Sequence, residues 1–406
     1  MTNTSPTQVQ TGHPQPPEPR MRYSALIATM LMSFMLVTSE FLPNGVLTAM
    51  ADGLGITPGQ AGQTVSVTAL AGLLVAPTIG LIFPRVDRRT LLAWMALLGA
   101  VSNLIVAFAP SFALILAARF LLGAALSTFW AMSITVASHI AGPRRLGRAV
   151  MFTSAGVSLA TVAGVPIGVA LSEVLDWRVT FGVIGAAMVL VAFAVRALLP
   201  RVPAAPSSNL GDLARTLRRP GVALGLLGHL GVVVGHFVAY TYIRLALERV
   251  EFADGRAIDS GTVILLLTLF GAGGLVGNVV IGMIIDRVYR VYAVLAPLVI
   301  AAGVLTVISA PGALWAVGVA VVAWGFCFSS WLIVANTWAG HRIPDRLEAG
   351  GVLIVVGYQA GILLAASVGG LILDALGVAV VFGAGAVVLV VGAVCFGLAN
   401  RVKAAS

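Results

Sequence analysis

Charge is scarce in this sequence. Charged residues make up only 10% of its 406 positions, against 59% hydrophobic residues, and the mean hydropathy is +1.03. One water-soluble domain cannot bury that much apolar surface. The composition therefore excludes an ordinary soluble protein and indicates a chain whose solvent is lipid.

Cysteine is nearly absent as well. The two cysteines, Cys327 and Cys395, both fall inside apolar stretches, so neither a structural disulfide nor a metal cluster is expected. The chain also lacks an acidic metal-binding motif and a serine–histidine pair at workable depths, which disfavours an intramembrane enzyme. It carries no soluble signalling domain, which disfavours a sensor or scaffold. We expect no cofactor and no bound metal.

Long apolar runs are what the sequence has in abundance. A helix needs about 20 apolar residues to cross the bilayer core, and twelve runs reach roughly that length. Because the runs are continuous and do not alternate with a period of two, they predict an all-α membrane protein and exclude a β-barrel. The runs are 24–48, 61–83, 90–109, 112–139, 148–172, 178–199, 221–247, 260–284, 291–310, 313–338, 349–373 and 378–400.

The basic residues are concentrated on one side of the predicted bundle. A net charge of +9 would suggest nucleic-acid binding in a soluble protein. Here all but five of the 24 basic residues fall in alternate loops and at the two termini. The positive-inside rule therefore predicts that both termini are cytoplasmic, and no nucleic-acid partner is expected. The five exceptions are Arg178, Arg249 and Arg256 in the opposite loops and Arg119 and Arg244 inside predicted helices.

Two polar segments divide the chain. Residues 1–22 are rich in Pro, Thr and Gln and are expected to be a disordered cytoplasmic tail. A cleaved signal peptide is disfavoured, because the first apolar run is too long and contains Glu40. Residues 200–220 separate the spans six and six. The expected organisation is a tail (1–22), a six-helix bundle (23–199), a cytoplasmic linker (200–220), a second six-helix bundle (221–400) and a tail (401–406).

The two halves repeat each other. The segment from Gly80 to Arg89, after the second run, is echoed by the segment from Gly282 to Arg290, after the eighth, at an offset of 202 positions. Parallel repeats of this kind are a transporter architecture in which the substrate site lies where the halves meet. The alternative is duplication of a purely structural bundle.

With these features the sequence resembles the major facilitator superfamily over residues 23–400. The loop motif of that superfamily is a glycine, three residues, Asp-Arg and a further basic residue. It is met in the second half by Gly282, Asp286, Arg287 and Arg290. The first-half loop departs from it, with Pro84 replacing the acid and Asp87 replacing a glycine, although three arginines remain, Arg85, Arg88 and Arg89. The resemblance implies that both segments are gating loops.

Two further motifs carry the resemblance. Arg119, four positions before Gly123, resembles the arginine motif that the superfamily uses in proton coupling. The fifth run resembles the glycine-proline motif associated with antiporters, at Gly156, Gly164, Pro166 and Gly168.

A narrower resemblance concerns the direction of transport and the substrate. The phrases SEFLPNGVLTAMADGLGI, AGQTVSVTA, FWAMS and TYIR resemble NepI-type bacterial purine ribonucleoside efflux permeases, in the drug:proton antiporter branch. The resemblance implies a secondary transporter of the bacterial inner membrane that exchanges protons for purine ribonucleosides or related base analogues. We expect it to be a monomer. Sugars and amphipathic drugs are the alternative substrates.

Three charges inside the apolar runs are the candidates for coupling. Glu40, Arg119 and Arg244 would each be costly in lipid, so they must be paired or face a wetted passage. Equivalent depths in the two halves suggest that Glu40 and Arg244 face each other, so that protonation of Glu40 would depend on whether the cavity is open. The alternatives are a permanent Glu40–Arg244 salt bridge that locks the gate and an Arg119 that only braces its helix.

The candidate substrate contacts combine aromatic faces with hydrogen-bonding groups, which suits a nucleoside. Taken singly, an aromatic residue in a membrane span more often faces lipid or packs in the core than contacts a substrate. The candidates are Asn44, Phe129, Trp130, His236, Tyr240, Asn336 and Gln359.

Small residues recur at fourfold spacing along the second, fifth, eighth and eleventh runs. Such stripes let helices pack closely in lipid. In the superfamily they would place the fifth run against the eighth and the second against the eleventh, at the interface on which the halves rock.

Overall fold

The computed structural model describes residues 22–141, 146–203, 210–252, 254–310 and 312–402. Almost all of these residues are helical, and their β-type pairing is an isolated bridge between Glu251 and Ala257. Most of both expected tails and the centre of the expected linker lie outside the described residues. The helices are α1 (Tyr23–Gly45), α2 (Leu47–Leu54), α3 (Pro58–Val75), α4 (Ile79–Ile82), α5 (Arg88–Phe108), α6 (Phe112–Ala141), α7 (Leu146–Leu159), α8 (Val165–Leu175), α9 (Trp177–Leu198), α10 (Leu210–Leu217), α11 (Val222–Tyr240), α12 (Ile243–Leu247), α13 (Ser260–Ser309), α14 (Leu314–Ser329), α15 (Trp331–Arg342), α16 (Leu347–Leu376) and α17 (Val378–Arg401).

Eleven stretches of described helix are long and apolar enough to cross a membrane, and they correspond to eleven of the twelve expected runs. The remaining run is α3, which carries Gln60 and Gln63 in its first two turns and is followed by the short helix α4. Because α3 packs against α6 and α16, it tolerates more polar residues than a helix that faces lipid.

The helices of each half pack mainly with one another, and two extensive contacts join the halves, with smaller ones beside them. In the first half α5 packs on α9 and α3 on α6, and in the second half α11 packs on α17 and α13 on α14. Between the halves, α3 runs along α16, while α13 contacts α8 and the π-helical turn that precedes it, Ala160–Gly164. These are the pairings expected for the second with the eleventh run and the fifth with the eighth.

The glycines in the stripes of the fifth, eighth and eleventh runs, however, face partners in their own half. A side chain at Gly156 or Gly164 would collide with α1, and one at Gly361 would collide with Val233 of α11. Between the halves, Gly72 in the stripe of the second run lies against Gln359 of α16, and Gly271, beside the stripe of the eighth run, lies against Thr161. Three of the stripes therefore pack within their own half, and the stripe of the second run contributes to the interface between the halves.

The second gating segment lies where the chain reverses within α13. Helical residues extend over Ser260–Ser309, and the two runs that the sequence predicts there occupy its two arms. Gly273 and Gly303 both pack against the stretch of α14 from Ala320 to Trp324, so the chain must double back between them. The reversal falls around Arg287, between two apolar stretches that each suffice to cross a membrane.

The two ends of the bundle differ. We call the end that carries Tyr23 and Arg401 the terminus end and the opposite one the distal end. In the described part of the chain, every hydrogen bond between the halves involves residues 45–63 or 173 of the first half and residues 244–260 or 366–374 of the second, all at the distal end. The halves are thus locked together at the distal end.

The described ends of the linker are tied to the terminus end. Val202 donates its N–H to the Asp87 carboxylate at 2.8 Å and accepts the N–H of Arg88 at 2.8 Å. Farther along, Arg219 makes a bidentate pair with Asp345 at 2.5 and 2.6 Å. That guanidinium lowers the pKa of Asp345 to about 2, so the pair is ionised at neutral pH.

Candidate functional site

Arg119 braces the first span through its backbone. Its Nη1 donates to the carbonyl oxygen of Ser39 at 2.7 Å, its Nη2 to that of Glu40 at 2.9 Å, and its Nε to that of Thr64 at 3.4 Å. Pro43 in α1 has no N–H, so the carbonyl four residues earlier, that of Ser39, lacks its usual helical donor. Arg119 supplies that donor from α6.

The Glu40 carboxyl group lies beside this brace, buried in the centre of the bundle with 5% of the residue exposed. It lies close enough to interact electrostatically with the Arg119 guanidinium and, in the second half, with the hydroxyl groups of Tyr240 and Tyr358. Among the described residues its carboxylate forms no ion pair within 4 Å. A carboxyl group in this setting can take up or release a proton without breaking a salt bridge.

The expected pairing of Glu40 with Arg244 is wrong in this structure. Arg244 donates to Glu173 at 2.6 Å, to Glu248 at 2.8 Å and to the carbonyl oxygen of Gly45 at 2.7 Å. Glu173 and Gly45 belong to the first half, so the guanidinium bridges the halves. Arg244 lies only one turn beyond Tyr240, but two closer carboxylates at the distal end satisfy its charge.

A second distal contact centres on Asp374, which the sequence analysis did not single out. Thr57 caps α3 in a capping box with Gln60. The Asp374 carboxylate of the other half accepts the Thr57 hydroxyl at 2.6 Å and the Gly59 N–H at 3.0 Å. A carboxylate at a helix N-terminus meets both free N–H groups and the positive end of the helix dipole. The Thr57–Gln60 capping pattern was readable from the sequence, but its partner 317 positions away was not.

His236 and Tyr240 meet in an aromatic box on the inner face of α11. We define the box as His236, Tyr240, Phe270, Trp324 and Phe328. The His236 ring stacks on Tyr240 with centroids 5.1 Å apart and lies parallel to Phe328, and Tyr240 stacks on Phe270 at 5.0 Å. Phe41, the neighbour of Glu40, touches Tyr240 edge-on at 5.7 Å, so the box adjoins the buried carboxyl group. Phe270, Trp324 and Phe328 carry no local sequence signal that separates them from ordinary core aromatics.

The other substrate candidates are dispersed. Phe129 and Trp130 pack edge-on against each other on α6, with centroids 5.3 Å apart. Gln359 lies against Gly72 across the interface between the halves. Asn336 is exposed and donates to Leu332 of its own helix at 2.8 Å.

Asn44 is the candidate with the most unusual surroundings. It lies one turn after Glu40 on the same face of α1 and is 1% exposed. Neither atom of its side-chain amide has a hydrogen-bond partner among the described residues. A buried amide without partners requires an explanation, and a substrate in the passage would supply one.

The gating residues are held at the terminus end. Asp87 caps α5 by accepting the N–H of Thr90 at 3.2 Å, and Arg88 donates to the carbonyl oxygen of Phe83 at 3.3 Å. In the second half Arg290 donates to the hydroxyl of Tyr289 at 3.2 Å. The side chain of Asp286 lies outside the described residues. Of the remaining motif residues, Arg89 lies 3.9 Å from Asp87, while Arg85 and Arg287 are exposed.

The glycine-proline motif shapes the fifth span. Pro166 cannot donate to the carbonyl four residues earlier, and the helix widens into the π-helical turn just before it. Gly156 and Gly168, on either side of this turn, let the span approach α1, where a larger side chain would meet the Met30 carbonyl or Leu42. The motif thus couples the position of the fifth span to the helix that bears Glu40.

Known proteins are similar to this chain in sequence. Residues 29–346 match the family described as the Major Facilitator Superfamily. The chain is 33% identical over 359 residues to the purine ribonucleoside efflux pump NepI of Shigella dysenteriae, covering 88% of this chain and 90% of that protein. It is 33% identical over 364 residues to the NepI pump of Escherichia coli, covering 88% and 89%.

Solved structures agree on the fold. The nucleoside transporter NupG superposes with a TM-score of 0.77 at 13% identity, covering 94% of this chain and all of that one. A bacterial homologue of the human lysosomal transporter Spinster superposes with a TM-score of 0.70 at 16% identity, covering 94% and 97%. At these identities the likeness concerns the fold alone.

Proposed function

This chain belongs to the major facilitator superfamily, and we propose that it exports purine ribonucleosides or related base analogues from the cytoplasm in exchange for protons. The 33% sequence identity to a purine ribonucleoside efflux pump, over 88% of this chain, supports the substrate class. The positive-inside pattern supports cytoplasmic termini in the inner membrane. One chain supplies both halves, so a monomer suffices.

The observation that carries the proposal is the position of Glu40. Its carboxyl group is buried between the halves, is free of any salt bridge within the described part of the protein, and adjoins an aromatic box through Phe41. A proton and a flat solute can therefore compete for neighbouring positions in one passage. Exchange follows if Glu40 is protonated when the passage opens outward and loses its proton when it opens inward.

The distal contacts supply the gate for such exchange. With Arg244 and Asp374 closing the distal end, a passage between the halves would open towards the terminus end, which the positive-inside pattern assigns to the cytoplasm. Substrate would enter from that side, and the halves would then rock to break the distal contacts. Arg244 would act in this gate, while Glu40 and Arg119 act in proton coupling.

Transport by purified protein in lipid vesicles tests the proposal. Vesicles loaded with unlabelled inosine should accumulate labelled inosine by counterflow. An imposed pH gradient should drive net movement of inosine against the proton flux, and a protonophore should abolish that movement. Counterflow of a sugar or a cationic dye without counterflow of any purine nucleoside would contradict the proposed substrate.

A further inference from the structure

Two histidines on α11 are each held by a tryptophan in the same way. Trp331 donates its indole N–H to His229 Nδ1 at 3.0 Å, and Trp324 donates to His236 Nδ1 at 2.8 Å. The histidines are seven residues apart, about two helical turns, and so are the tryptophans, in the opposite chain direction. The chain thus contains one arrangement twice, side by side.

The arrangement determines which ring nitrogen carries the proton. An indole nitrogen can only donate a hydrogen bond. His229 Nδ1 and His236 Nδ1 must therefore accept, and each neutral imidazole carries its proton on Nε2. Both histidines present an N–H donor on the side of the ring away from the tryptophan.

The two donors differ in what they meet. His229 Nε2 lies 3.1 Å from the carbonyl oxygen of Ile354, which accepts its proton. No acceptor for His236 Nε2 occurs among the described residues, although His236 is only 1% exposed. Unlike the amide of Asn44, this nitrogen is not one of the fully enclosed polar atoms without a partner among the described residues. The small accessible part of His236 therefore includes Nε2–H, and we expect its acceptor to come from outside the chain.

The surroundings of His236 indicate the chemistry of that acceptor. Its ring is parallel to Tyr240 and Phe328, which cover its faces, so an acceptor can approach it only in the plane of the ring. The aromatic side chains around that edge favour a flat partner. A partner that offers both a flat face and an in-plane acceptor is a heteroaromatic base. Purine bases carry such acceptors at ring nitrogens N3 and N7 whatever their exocyclic groups.

We propose that His236 Nε2–H donates a hydrogen bond to an unprotonated ring nitrogen of the purine. Trp324 is the positioning residue, which fixes the orientation and tautomer of the His236 ring. This inference rests on the proposed function and adds a specificity rule to it. One donor directed at N3 or N7 accepts adenosine, inosine and guanosine alike. It rejects analogues in which that nitrogen is a C–H group, and Trp324 enforces the rule by keeping the proton off His236 Nδ1.

The test compares adenosine with 3-deazaadenosine and 7-deazaadenosine in counterflow by the full-length protein in vesicles. The wild type should have a kcat/KM about tenfold lower for one of the two analogues, the equivalent of one neutral hydrogen bond. His236→Phe keeps a ring in the box but removes the donor, so this ratio should fall to about one. Trp324→Phe should give an intermediate ratio, because the proton can then occupy either nitrogen.

The matched controls are His229→Phe and Trp331→Phe, which disrupt the same arrangement where the donor already has its acceptor. Both should keep the wild-type ratio, whatever their effect on overall rate. Because the ratio is measured within one vesicle preparation, it does not depend on how much protein folds. A ratio retained in His236→Phe, or lost equally in His229→Phe, would overturn the inference.

The outcomes also separate this inference from the proposed function. If the wild type exchanges adenosine and both analogues equally well, the specificity rule is wrong while the proposed function stands. If the wild type exchanges no purine nucleoside at all, the proposed function fails and the inference fails with it.

Discussion

Arg119 donates to the Ser39 carbonyl oxygen at 2.7 Å, and this is the carbonyl that Pro43 deprives of its helical partner. The helix that carries Glu40 is therefore completed by a side chain from α6. Because the same guanidinium also binds the Glu40 carbonyl oxygen, it holds the backbone of Glu40 in place. These contacts show the bracing role weighed above for Arg119, while its coupling role stays a prediction.

This relationship predicts a non-additive pair of substitutions. Arg119→Gln should lower the free energy of unfolding by about 2–3 kcal/mol, since hydrogen bonds from a charged donor contribute about 1.5–3 kcal/mol. In a Pro43→Ala background the loss should be about 1 kcal/mol smaller, because the restored peptide N–H can bond to the Ser39 carbonyl oxygen. Unfolding of the four proteins in detergent measures the difference. Equal losses in both backgrounds would mean that Arg119 does not compensate for Pro43.

Glu40 should be the residue that links transport to the proton gradient. Glu40→Gln keeps the shape of the side chain but cannot exchange a proton. Counterflow at equal pH on both sides should persist, while transport driven by an imposed pH gradient should fall at least tenfold. Glu173→Gln is the control, since it neutralises a carboxylate of the distal contact and should leave gradient-driven transport in place. If Glu40→Gln responds to the gradient like the wild type, Glu40 has no role in coupling.

The contact between Asp374 and the start of α3 should control opening of the distal end. Asp374→Asn and Thr57→Val each remove part of this contact. If each lowers the stability of the closed form by about 1.4 kcal/mol, the population of the open form should rise about tenfold. Spin labels at the exposed positions Asp52 and Glu251, one in each half, can report the distance between the halves.

The control for that experiment is Asp254→Asn, whose carboxylate pairs with Arg256 of its own loop. It should leave the distance distribution unchanged. A shift as large as that of Asp374→Asn would indicate a general effect of surface charge.

Arg244 should behave as a gate residue and not as a coupling residue. Arg244→Gln leaves Glu173 and Glu248 without their cation and should lower the free energy of unfolding by about 1–2 kcal/mol. The decrease should be smaller than for a fully buried pair, because both carboxylates are partly exposed. The distal end should open more often, and transport should still respond to a pH gradient. Loss of the pH response with unchanged spin-label distances would return Arg244 to the coupling role.

Sequence reasoning anticipated the features that depend on local composition. The runs of apolar residues specified the spans, because each must be long enough to cross lipid and must satisfy its own backbone. Glu40 and Arg119 stood out as central residues because a charge in an apolar run is costly wherever the helix packs. The internal repeat indicated two halves with an interface between them.

Contacts between distant segments were decided by the tertiary structure. Equivalent depth placed Arg244 opposite Glu40, yet the guanidinium reaches Glu173 and Glu248, because the short helix α12 carries it past the box to the distal end. Asp374 and Trp324 acquire their importance only from partners that lie 317 and 88 positions away. Hydropathy and charge along the chain thus determined which segments cross the membrane and which charged side chains need partners there. The identity of those partners depended on hydrogen-bond geometry, which arises only when the helices pack.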